Sequence, residues 1–178
     1  MPITINGSGT LTGISVGGYP DGTVTAADCN FSPGKILQVV TATDATQRNT
    51  TSTSWNTASS GLIVSLTPAA ASSKIFVIAS STFGSNLSAN QGCATIQRDI
   101  GGTIVNMGAA TNGIQNEYSD SGTQRVPLCM TVLDDISGVW TSGSLSYQVY
   151  IRRTGGSGQV DLNWNSTTGR ITAFEIGA

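Results

Sequence analysis

The chain has 178 residues, a formal net charge of −2, no histidine, and only 10% charged residues, against roughly 25% in an average soluble domain. That length suits one domain with a short appendage. Eight basic residues are too few for the electrostatic footprint of a nucleic-acid or acidic-membrane binder. Without His, neither a His-based triad nor a site built on the commonest metal ligand is available.

Val and Ile together number 27 against 9 Leu, an excess of β-branched residues that favours pleated sheet over helix. Residues 1–35 stand apart, with seven Gly, three Pro and only isolated apolar residues. They form no core of their own and read as an extended N-terminal arm. Such an arm either stays loose or orders against a partner, and Ile3, Ile5, Leu11, Ile14 and Val16 are its candidate attachment residues. MPITINGSGT carries neither a basic nor an apolar leader region, so no secretory signal is read here.

From Ile36 onward, strand-like runs alternate with turn signals, which predicts a domain over 36–178. GKILQVVTAT opens it, and TTSTSWNTA follows as a Ser/Thr strand carrying Trp55. Residues 61–67 place Leu62, Val64 and Leu66 on one face. IFVIA, residues 75–79, is apolar on both faces and predicts a central strand buried on two sides. Gly101-Gly102 between two apolar runs predicts a tight hairpin. Residues 108–123 read as a long polar loop. Beyond it, Val126, Leu128, Met130 and Val132 alternate cleanly, as do Leu145, Tyr147, Val149 and Ile151. Residues 160–163 and 170–176 close the chain. With eight to ten strands expected and no sustained helical period, the predicted fold is all-β, a β-sandwich of jelly-roll type.

Chemistry is sparse in this pattern. Cys93 and Cys129 lie in apolar runs and read as small buried thiols, with a Cys93–Cys129 disulfide as the alternative; a reducing compartment makes thiols the expectation. Asp134-Asp135 reads as a turn opening, because adjacent strand residues face opposite ways and cannot converge on one bond. Glu117 and Asp120, in the loop 108–123, are a weak oxygen pair for Ca²⁺. No catalytic residue, metal ligand or cofactor site is expected. The aromatics are the remaining candidates for ligand or receptor contact: Tyr118, Trp140 and Trp164, with Trp55 taken as the core tryptophan.

GKILQVV, the Thr/Ser stretch ending at Trp55, and GLIVSLTPAAASSKIFVIAS together resemble a domain recurrent in phage virion proteins, the tail fibres and structural proteins of marine phages and cyanophages among them. The pieces that match are residues 34–40, 50–55, 61–68, 72–78, 98–103 and 171–178. ITINGSGTLTGISVGG and PDGTVTAADC are similar to the lead-in segments of such fibres. The resemblance implies a jelly-roll-like domain that assembles as a homotrimer, made in the host cytoplasm and located on the virion. Residues 1–35 would then attach it to other virion proteins, and host surface glycan would be a further partner. No long shaft precedes the domain, so a short tail fibre or spike and a capsid decoration protein both fit. A carbohydrate-binding module is the competing class; a depolymerase would require a carboxylate pair in a cleft, and no enzyme is expected.

Overall fold

The computed structural model describes residues 35–57, 61–86, 89–120 and 122–177. The attachment candidates Ile3, Ile5, Leu11, Ile14 and Val16 lie outside them. Among the described residues, the chain forms twelve strands and a single turn of 3-10 helix. In order these are β1 (Ile36–Asp44), β2 (Arg48–Thr50), β3 (Asn56–Thr57), β4 (Ile63–Leu66), β5 (Lys74–Ser85) and β6 (Asn90–Ile100). They continue with β7 (Thr103–Asn106), β8 (Gln115–Ser119), β9 (Gln124–Asp135), β10 (Leu145–Gly155), β11 (Val160–Leu162) and β12 (Gly169–Ile176).

Two six-stranded antiparallel sheets pack face to face. In the first, β5 pairs with β9 along its whole length. Its other edge takes β12 and then β11, flanked in turn by β1 and β2. In the second, β10 and β6 are central; β4 and β3 share the outer edge of β10, and β7 and β8 share that of β6. Each short pair is one interrupted line of strand. Numbered as lines, the sheets run 1-8-3-6 and 2-7-4-5, which is jelly-roll connectivity.

The predicted alternation is what closes the core. Leu62, Val64 and Leu66, then Leu128, Met130 and Val132, then Leu145, Tyr147, Val149 and Ile151 all point between the sheets. Gly101 and Gly102 adopt φ of 59° and 89°, the left-handed pair that matches hairpin twist, and Asp99 Oδ1 accepts a bond from the Gly102 N–H at 2.7 Å.

Several expectations need correction. IFVIA is central, between β9 and β12, but buried on one side: Ile75, Val77 and Ala79 are wholly covered, whereas Phe76 and Ile78 are half-exposed on the outer face. TTSTSWNTA is not one strand. Its hydroxyls bond to their own backbone, with Ser52 N donating to Thr50 Oγ1 and Ser54 N to Ser52 Oγ, a local alternative to a ladder. β2 and β3 therefore end up in different sheets. The presumed loop 108–123 contains β8, whose inward residues Glu117 and Ser119 are polar and so carry no apolar signal. Cys93 is buried and Cys129 exposed, and both are free; Cys129 sits between inward Leu128 and Met130 and must face out.

Candidate functional site

Among the three aromatic candidates, Trp140 is only 7% exposed and is a core residue, its indole N–H donating to Gly143 O at 3.0 Å. Trp55, assigned to the core from sequence, is instead half-exposed. It lies beneath the Arg152 guanidinium at 4.7 Å and bonds to Ala110 O. Tyr118 and Trp164 do reach the surface, at 55% and 39% exposure. They belong to different sheets: Tyr118 is outward on β8, and Trp164 sits in the turn between β11 and β12. No shared aromatic platform joins them.

The outer face of the first sheet is where the surface features gather. At the end where β5 stops, Arg125, Gly84 and Asp161 are directly opposite one another on β9, β5 and β11. A Cβ on Gly84 would lie 2.0 Å from Gln124 O and 2.9 Å from Arg125 Cδ. The missing side chain lets Arg125 cross the central strand to Asp161, Nη2 to Oδ2 at 2.6 Å. The ring of Trp164 covers the guanidinium at 4.1 Å, a cation–π contact. Its turn places Asn163, Asn165 and Ser166 at positive φ. Burial under this stack pushes the Asp161 carboxyl up, against the opposing pull of Arg125. On the inner side of the same end, burial also raises Glu117, which accepts a bond from Ser85 Oγ at 3.0 Å.

At the other end the outer face is apolar. Val39, Phe174, Phe76 and Leu133 are in direct register on β1, β12, β5 and β9, so one row of apolar side chains crosses the whole sheet. Val39 is 54% exposed, Leu133 59%, and Ile36 beside them 60%. The neighbouring row is Thr41, Thr172, Ile78 and Thr131, with the Thr41 and Thr172 hydroxyls 2.8 Å apart.

Among the described residues, the inward carboxylates Asp134, Glu117 and Glu175 each have a structural partner. Asp134 is held by Arg98 Nη1 at 2.8 and 2.9 Å and by Tyr147 Oη at 2.7 Å, an ion pair between the sheets. Asp134 and Asp135 are the last two residues of β9 and face opposite ways as expected, with Asp134 inward and Asp135 in solvent, where it opens the turn by accepting a bond from Ser137 N. Arg98 also lines an open cleft of about 300 Å³ with Ile100, Thr103, Val105 and Val139. Glu175 accepts from Gln38 Nε2, Ser73 Oγ and Ala69 N. Among the described residues, no three His, Cys, Asp or Glu side chains cluster to hold a metal, and no helix is long and apolar enough to cross a membrane.

No protein-family model matches the chain, and no curated protein does. Solved structures are similar to it, two of them as follows. One is the D431N mutant VP2 protein of infectious bursal disease virus in derived T=1 particles: 16% identity, TM-score 0.39, 78% of this chain covered and 36% of that one. The other is infectious bursal disease virus of the Gx strain: 12% identity, TM-score 0.28, with 82% and 40% covered. The chain thus spans well under half the length of both. At these scores the fold rests on the strands described above.

Proposed function

We propose that this chain is a non-enzymatic structural component of a phage virion. In this reading it is a short tail fibre or spike that assembles as a homotrimer and is carried on the particle by residues 1–35. The observation that carries the reading is the pairing of a jelly-roll domain with an apolar row exposed across one whole sheet. A lone sandwich in water has no use for such a row, whereas a building block does. The sequence resemblance to phage virion domains supports the setting. The absence of an activity is supported by the carboxylates, since Asp134, Asp161, Glu117 and Glu175 are each occupied by a partner that holds the fold.

Mass spectrometry and cryo-EM of purified virions test this directly, and the position of the density separates tail from capsid. The chain should be present in multiples of three, and a variant with Ile3, Ile5, Leu11, Ile14 and Val16 all changed to Ser should fold yet be missing from particles. Virions without the chain would overturn the reading. A second reading, a carbohydrate-binding module, is favoured by the exposed Trp164 and Tyr118; strong monovalent glycan binding that Trp164→Ala abolishes would establish it.

A further inference from the structure

We infer that the apolar end of the first sheet's outer face is the seat of a second copy of this chain. The inference rests on the self-associating building-block reading above and says which surface does the associating. Three observations carry it.

The first is register. Val39, Phe174, Phe76 and Leu133 come from four strands that are far apart in sequence, yet the ladders set them in one line. Three of those strands place their inward residues in the core, so the outward row is not a by-product of core packing. The second is exposure. Ile36, Leu37, Val39 and Leu133 are 60%, 39%, 54% and 59% exposed, and Phe76, Ile78, Phe174 and Ile176 are half-buried beside them, a contiguous apolar patch of the kind that marks an interaction surface.

The third is charge. On the side away from the threonines, the next row is Ile36, Ile176, Lys74 and Asp135, with the last two opposite each other on β5 and β9. They lie 3.9 Å apart with about half of each side chain exposed, 51% and 56%. Their charges cancel and they sit side by side. A copy turned about an axis that runs along the strands between β5 and β9 sets its Asp135 against its neighbour's Lys74. A strongly acidic or basic partner would meet one matching and one opposing charge; a second copy meets a match at both. The occupant this surface fits is itself.

The test uses the full chain. Val39→Asp and Leu133→Asp, singly and together, place a charge on exposed positions where the monomer loses little packing. Light scattering of wild type should give a discrete oligomer. Each variant should associate at least about a hundred-fold more weakly, as expected for an uncompensated charge in an interface, with an unchanged circular-dichroism spectrum. Thr43→Asp, on the same strand but away from the row, should leave the oligomer intact. A monomeric wild type would overturn the inference and leave the row to a partner of different sequence. An oligomer that survives Val39→Asp/Leu133→Asp would overturn it too. Dissociation of the variants while wild type is absent from virions would uphold the interface and refute the virion setting.

Discussion

Glu175 is a carboxylate with no exposed surface, and its bonds explain how β12 can carry it. Burial alone would raise its carboxyl. The donors Gln38, Ser73 and the backbone N–H groups of Ala69 and Ala70 outweigh burial and hold it below its ordinary value of 4.5. A carboxyl lowered by folding stabilises the fold above its unfolded value, and that contribution disappears as pH falls through the folded value. Glu175→Gln should therefore cost about 1–3 kcal/mol at pH 7, the penalty for stranding buried donors. In urea titrations the gap from wild type should shrink steadily below pH 4.5. The Arg98–Asp134 pair gives a prediction of a different kind. Arg98→Met leaves a buried, uncompensated carboxylate and should cost about 3–5 kcal/mol, whereas Arg98→Met/Asp134→Leu should cost less than the single change. Equal losses in denaturant melts would mean the pair is not coupled. None of these buried charges was legible beforehand, because a carboxylate in an alternating pattern reads as outward and its partner lies elsewhere in the chain. Trp55 and Trp140 exchanged roles for a related reason: burial depends on the turn that carries each ring, and composition says nothing of it.

Strands that bury one face announced themselves. β9 and β10 alternate over long runs, and β4 and the Gly101-Gly102 hairpin follow the same logic. Legibility failed where the inward residues are polar, as in β8, or where Ser and Thr offer the backbone a local partner, as between β2 and β3. It also failed at Gly84, which looked like an ordinary glycine within a strand. Its role is to let the β9 backbone and the Arg125 side chain come close. Gly84→Ala should cost about 1–3 kcal/mol through overpacking and should release Trp164 from Arg125. A Trp fluorescence spectrum and a melting temperature both identical to wild type would refute that role.

For the whole molecule, alternation and turn spacing were enough to predict a jelly roll, and the ladders bear that out. The row across the first sheet was not legible, because its four members become neighbours only through register. The place of β12 has a consequence for how the protein is made. β12 lies between β1 and β5, so the earliest described strand has no ladder partner until residues 169–176 have been synthesised. Pairing over such distances is slow, and until it happens β1 and β5 both present open edges of the kind that aggregate. A chain cut short before residue 169 cannot finish the first sheet or level the face that carries Val39 and Phe174. In the self-associating reading, a product truncated before residue 169 lacks the finished row by which it would join its copies.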